Sequence, residues 1–290
     1  MKSIAGSDYD ALCSRLARCT VASGPKTTKT TTTMSQVLGI CSWLQSPPIV
    51  SAPNQLHVLA FDQSALMDAA KWFREICGAK PARLAYRVYV FENLVKQIVR
   101  SAVVQGADVL YAEVVGTLMD IEATVRATKG VHVIMLSSLT VLAAALLREV
   151  RGKPKRGVIG TIQPGEWTTY GQRLSDIRNL AHGIPAHIIW EAHIDAVPVM
   201  QIGKDPTAPK EGIQVYGGEG RNWAANQDQC LRLRADMQIA PRCRKMVYDT
   251  RAFVGEMIGG GRGFDRLLPR EPGLYDIFQK LGLQLPSAPN

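Results

Sequence analysis

The chain has no C-x-x-C pair. Its six cysteines, Cys13, Cys19, Cys41, Cys77, Cys230 and Cys243, are scattered, and no histidine stands at zinc-ligand spacing from them. This pattern argues against a structural zinc site and predicts reduced thiols in a cytoplasmic protein. The N-terminal MKSIAGSDYD lacks an apolar h-region, so no signal peptide is expected there. No hydrophobic run is long enough to span a bilayer. The longest uncharged stretch, Val131 to Leu147, falls slightly short of the ~20 residues a span needs. It also changes character midway: VHVIML is β-branched and strand-like, SSLT is a break, and VLAAALL is a good helix former. That reads as a buried strand feeding a helix, with no membrane partner. There is no internal repeat, and no arginine-rich lid of the kind a nucleotide kinase would need.

What is present is a chain of 290 residues, 46% hydrophobic and 20% charged, enough for one large α/β domain or one such domain with a modest appendage. The net charge of +9 fits an anionic partner such as a nucleotide or nucleic acid. Charge alone fits an ordinary basic soluble protein equally well.

Strands and helices alternate. Thr20 to Ser23 ends a first strand, and Thr31 to Leu44 reads as a helix despite its threonines, which are poor helix formers. Gln55 to Phe61 is a strand. It is followed by a helix-rich region with Leu94, Val95, Ile98, Val99, Ala102 and Val103 on one face, and by a second helical pattern at Val115, Leu118, Ile121 and Val125. The strand Val131 to Leu136, the helix Leu139 to Val150, the helix Tyr170 to Ala181 and the strand Ala186 to Ala192 complete the pattern of a mostly parallel sheet with helices on both faces. The expected division is a core over residues 1–200 and an extension over 201–290, with short strands and a terminal helix at Leu274 to Leu281.

The segment CTVASGPKTTKTTTT is the most informative. A phosphate-binding loop needs a strand, a glycine-bearing turn whose N–H groups face phosphates, a lysine for the terminal phosphates and a hydroxyl for Mg²⁺ at the helix start. Gly24, Pro25, Lys26, Thr27, Thr28, Lys29, Thr30 and Thr31 form such a turn, with Lys29 and Thr30 in the two key roles. The spacing departs from G-x-x-x-x-G-K-[ST], since Thr28 stands where glycine is usual and the loop is one residue short. By itself the segment reads equally well as a Thr/Lys-rich surface loop. Three later segments follow in a suggestive order: HVLAFDQS ending at Asp62, VHVIMLSSLT, and QPGEWTTYGQRLSDIRNLAHGIPAHIIWEAHIDA.

Together these segments resemble the phage-encoded RecA-like P-loop ATPases, often labelled phage nucleotide-binding proteins and related to single-strand annealing recombination proteins. The resemblance covers about residues 18–200 and extends loosely to the tail. It implies ATP and Mg²⁺ as cofactors. Lys29 would contact the β- and γ-phosphates, Thr30 would sit on Mg²⁺, and His193 would sense the γ-phosphate. Asp62 would hold the metal's water or the attacking water. It also implies single-stranded DNA as a partner, assembly into a ring or filament, other phage proteins as contacts, and the host cytoplasm as location.

The departures matter as much. Ser137 stands where the family carries an acid on its Walker B strand, so it could hold a metal-bound water but brings no charge. No glutamate follows the Asp62 strand to orient water. Hydrolysis is therefore expected to be slow or absent, unless Asp62 or Glu191 supplies the missing acid. Glu191 alternates with His193 and shares its side of the strand. The basic loop offers Arg148, Arg151, Lys153, Lys155 and Arg156 to a phosphate backbone, and Arg232 to Lys245 forms a second basic stretch. Each serves equally as a solvated connector, and neither is interleaved with aromatics. Trp167 and Tyr170 are the candidates for stacking a base, although packing is the commoner fate of such residues. The competing expectation is a fold that has lost catalysis and serves phage structure or assembly.

Overall fold

The computed structural model describes residues 18–23, 54–63, 84–100, 108–128, 132–151, 163–196, 211–215, 229–236 and 245–248, with Leu16, Trp223 and Gln227. The loop Gly24 to Thr31, the helix expected over Thr31 to Leu44, the stretch Lys153 to Arg156 and the helix expected at Leu274 to Leu281 lie outside these residues.

Eight strands are described: β1 (Arg18–Ser23), β2 (Asn54–Ala60), β3 (Leu84–Val90), β4 (His132–Ser137), β5 (His187–Ala196), β6 (Glu211–Ile213), β7 (Gln229–Asp236) and β8 (Lys245–Tyr248). Their order is β3-β2-β4-β5-β1-β7-β8, with β6 on β5. Every pairing from β3 across to β7 is parallel, whereas β8 and β6 run antiparallel to their neighbours. The α/β class with a mostly parallel sheet, expected from the sequence, is what the chain adopts. Burial explains the composition of the central strands: all six residues of β4 are buried, as is normal for a parallel strand.

Four helices are described, α1 (Glu92–Arg100), α2 (Val109–Ala127), α3 (Leu139–Arg151) and α4 (Pro164–Gly183). They share one core with the sheet face that carries Ala22, Leu59, Ile134, Leu136, Ile188, Trp190 and Ala192. In α2 the buried residues Leu110, Val114, Leu118, Ile121 and Val125 recur every three or four positions, which makes a single apolar stripe. α4 begins at Pro164, six residues before the expected start at Tyr170. Proline is well suited to a first helical position, and Glu166 accepts the Gln163 N–H at 2.8 Å.

Two sequence expectations need correction. Residues Leu84–Val90 (LAYRVYV) form β3 instead of belonging to a helical region, because the alternating pattern lets the segment pair with β2 along seven residues. Val99 was placed on the apolar face of its helix, yet it is 55% exposed while Val95 and Ile98 are buried. The segment beyond residue 200 contributes directly to the sheet, since β7 lies against β1.

α3 and α4 are tied to the start of α2 by Glu149. Its carboxylate accepts the backbone N–H of Leu110 (2.7 Å) and Tyr111 (3.4 Å), and Arg173 lies 3.6 Å away. Arg173 also pairs with Asp108. Burial pushes the Glu149 carboxyl upward, while these N–H donors and Arg173 oppose the shift. A carboxylate at a helix N-terminus satisfies otherwise orphaned N–H groups, so Glu149 is explained as a structural clamp.

Candidate functional site

In an open parallel sheet the ligand crevice lies beyond the C-terminal ends of the strands. Here that edge carries four of the site residues expected from sequence, Asp62, Ser137, Glu191 and His193. β1 is enclosed by β5 and β7, and its last residue, Ser23, is in register with His193 on one side and Leu233 on the other. β1 therefore ends at the level of His193, and Gly24 is the next residue in sequence. Ser137 closes β4, and Leu136 is in register with Trp190, so one residue further Ser137 and Glu191 stand side by side. Alternation places both on one face, the face opposite Trp190 and Leu136.

Ser137 and Glu191 are both 0% exposed, and the Ser137 hydroxyl donates to Glu191 Oε2. A carboxylate removed from water is costly unless hydrogen bonds or charges compensate it, so the serine makes the buried acid tolerable. The peptide bond between Ser137 and Ser138 is cis. Ser138 begins the turn into α3, where its carbonyl accepts the Leu142 N–H at 3.0 Å. Ser138 is 1% exposed, and its hydroxyl has no hydrogen-bond partner among the described residues, an arrangement that costs about 1–3 kcal/mol.

Thr140, in the first turn of α3, accepts the backbone N–H of His193 at 2.9 Å. This bond fixes the end of β5 against α3 and holds His193 beside the exit of β1. Asp62 lies two residues past Ala60, which is in register with Ser137, and Phe61 N–H donates to the Ser137 carbonyl at 2.6 Å. Asp62, Ser137, Glu191 and His193 thus lie on adjacent strands along one edge. Three strand spacings separate β2 from β1, roughly 14 Å.

Other expected residues separate from this group. Arg148 and Arg151 sit in the last turn of α3. That helix runs from the C-terminal edge toward the opposite edge over about 20 Å, at 1.5 Å per residue. Arg148 and Arg151 therefore lie toward the opposite edge of the sheet from Ser23, where they complement the helix dipole. Tyr170 is 1% exposed, and the half-buried Trp167 meets it edge-on at 6.0 Å, so both pack against the core. Thr140 and Ser138 were missed by the sequence reading. Their only signal was SSLT, taken there as a break between strand and helix.

Oxygen donors suit a hard cation such as Mg²⁺, and the edge supplies one buried carboxylate with the Ser137 hydroxyl bonded to it. Among the described residues no group of three or more His, Cys, Asp or Glu side chains is placed to hold a metal unaided. The donor set fits a cation that takes its remaining ligands from phosphate and water, as Mg²⁺ in nucleotide sites does. Among the described residues no helix is long and apolar enough to cross a membrane.

No family model matches the sequence, and no curated protein sequence matches it. Among solved structures the chain is similar to a prototypical ATPase from the type III secretion system of pathogenic bacteria, at 14% identity and a TM-score of 0.43. The similarity covers 83% of this chain and 60% of that one, so the chain spans less than two thirds of the protein it matches.

Proposed function

We propose that the chain is a RecA-like ATP-binding protein whose nucleotide site lies at the C-terminal edge of the sheet, between the loop Gly24 to Thr31 and the ends of β4 and β5. The observation that carries this reading is the register of Ser23 with His193, because it starts the candidate phosphate loop beside the Ser137–Glu191 pair. The loop's N–H groups and Lys29 would receive the β- and γ-phosphates, and Thr30 with the β4–β5 edge would hold Mg²⁺. When bound, Mg²⁺ would supply positive charge against the phosphate oxygens. His193, held through its backbone by Thr140, is positioned to report the γ-phosphate to β5 and α3. Asp62 is a candidate for orienting water. With a serine on β4, turnover would be slow. The finer reading, action on single-stranded DNA during phage recombination or replication, in the cytoplasm and as a ring or filament, rests on the sequence resemblance and on the +9 charge.

A second reading keeps the fold and drops the chemistry, leaving a structural or assembly role. The observation favouring it is that the β4 position carries a neutral hydroxyl already engaged with Glu191. Calorimetry of ATP with Mg²⁺ on the native chain and on Lys29→Ala, with a turnover assay on the same samples, separates the two. Binding that Lys29→Ala abolishes supports the first reading, and no binding to either protein supports the second.

A further inference from the structure

We infer that the acidic group of the cation site has moved one strand across the sheet, so that Glu191 on β5 supplies the charge and Ser137 on β4 is its positioning residue. The inference rests on the nucleotide reading above and assigns the cation site within it.

Three observations converge on this. First, Ser137 and Glu191 occupy level positions on neighbouring parallel strands and face the same way, about one strand spacing apart. A carboxylate on the longer glutamate stem can therefore reach the space in front of β4. Second, the hydrogen bond has a direction. Ser137 donates to Oε2, which leaves the serine oxygen as an acceptor and holds the carboxylate against β4. Third, the hydroxyl of Ser138, the next residue after Ser137, is buried with no hydrogen-bond partner among the described residues. Ordered water around a cation would satisfy it, whereas a dry apolar site would leave its cost unrelieved.

The consequence runs against simple consensus reasoning. Placing an acid on β4 in the native background sets two carboxylates in contact, and neighbouring like charges oppose each other's ionisation. Ser137→Asp should therefore weaken cation binding, although it restores the acid the family carries there. Combining it with Glu191→Gln returns the pair to one charge and one donor, because the glutamine amide can donate to the new aspartate.

The test uses the full chain, with Mn²⁺ as the probe, titrated by electron paramagnetic resonance in the presence of ADP. ADP affinity without metal and thermal melting are measured on the same samples. Glu191→Gln is near-isosteric and keeps an acceptor for the Ser137 hydroxyl; it should weaken Mn²⁺ binding by about tenfold or more. Ser137→Asp should also weaken it, and Ser137→Asp with Glu191→Gln should bind more tightly than either single variant. If Glu191→Gln fails to fold, Glu191→Asp takes its place. It keeps the charge but withdraws it by one methylene, and it should also weaken Mn²⁺ binding. Unchanged Mn²⁺ affinity in the Glu191 variant, or tighter binding by Ser137→Asp alone, overturns the relocation while leaving the nucleotide site standing. Failure of the native chain to bind ADP, with or without Mn²⁺, overturns the nucleotide reading and the relocation with it.

Discussion

The two edges of the sheet spend their polar residues differently. Four of the five histidines lie at the N-terminal edge or in the strand half that leads to it. His132 and His187 open β4 and β5, His57 sits midway along β2, and His182 sits at the end of α4, where its carbonyl accepts from Arg18 at 2.9 Å. The hydrogen bonds there close on themselves. Thr128 Oγ1 donates to the Thr124 carbonyl (2.7 Å), so it accepts from His132 Nε2 (3.1 Å). His132 Nδ1 must then accept from His57 Nε2 (3.5 Å), and His57 Nδ1 accepts from the Tyr89 hydroxyl (3.3 Å). Every ring in that chain is neutral, with one tautomer. The C-terminal edge instead buries a carboxylate and a hydroxyl without a hydrogen-bond partner among the described residues, and carries the fifth histidine, part-exposed, level with the end of β1. The lesson is that polar groups which satisfy one another hold a fold, while the opposite edge places its acid at the strand ends, where open parallel sheets meet their ligands.

The largest expected effect follows from the neutral histidines. Burial pulls His57 and His187 down to about 4 and His182 to about 3, and lowers His132 as well. His132 and Arg87 reinforce the shift at His57, and Arg18 and Arg178 reinforce it at His182. Each ring has a folded pKa below the unfolded value of 6.5. The unfolded chain therefore takes up protons first as pH falls, and stability present above pH 6.5 is lost on the way down to about pH 4. For His187, which is fully buried, the shift corresponds to roughly 3 kcal/mol. Urea denaturation from pH 8 to pH 4 should show a fall in midpoint that starts near pH 6.5. A flat profile down to pH 5 would break the contrast between the edges.

Next in size is His57→Phe, which keeps the ring volume but leaves the Tyr89 hydroxyl and His132 Nδ1 without their partner. The cost at pH 7 should be about 1–3 kcal/mol, the usual penalty of an orphaned polar group. The acid sensitivity should shrink at the same time, because one depressed histidine is gone. Denaturant midpoints at pH 7.5 and pH 5 on both proteins measure both effects. A variant that loses stability equally at the two pH values would mean that His57 acts through packing alone.

How much of this was legible beforehand depends on whether the signal is local. Periodicity placed β2, β4, α3 and β5 within one to four residues of their ends, since a run such as VHVIML must be buried on both faces. β3 was missed because LAYRVYV stands directly before the helical pattern that begins at Leu94 and was read with it, and its pairing with β2 is what decides it. Asp62, Ser137, Glu191 and His193 were each legible as strand-end residues. What no reading of one strand could supply was adjacency: β5 enters the sheet between β4 and β1, and that insertion sets Glu191 against Ser137 and His193 opposite Ser23. Glu149 had the opposite fate. It stands next to Arg148 at the end of an expected helix with nothing local to mark it, and the fold turns it inward to cap a helix 38 residues away.

The smallest effect on stability is expected at the residue with the largest proposed role in binding. If Glu191 served the fold as Glu149 does, neutralising it would leave backbone N–H groups unpaired and would cost several kcal/mol. Glu149 accepts two N–H donors and faces Arg173, and the Ser137 hydroxyl that donates to Glu191 can be satisfied equally well by a glutamine carbonyl. Glu191→Gln also removes the desolvation of a fully buried charge. The folded protein without ligand should therefore change by less than about 1 kcal/mol, or gain slightly, in keeping with the tendency of binding sites to be held at some cost to stability. Glu149→Gln should lose more, since its amide places donors toward Leu110 and Tyr111 where acceptors are needed. Chemical denaturation of both variants at pH 7.5 makes the comparison directly. A loss at Glu191 as large as that at Glu149 would make the C-terminal edge a second structural clamp and would remove the physical reason to separate it from the histidine edge.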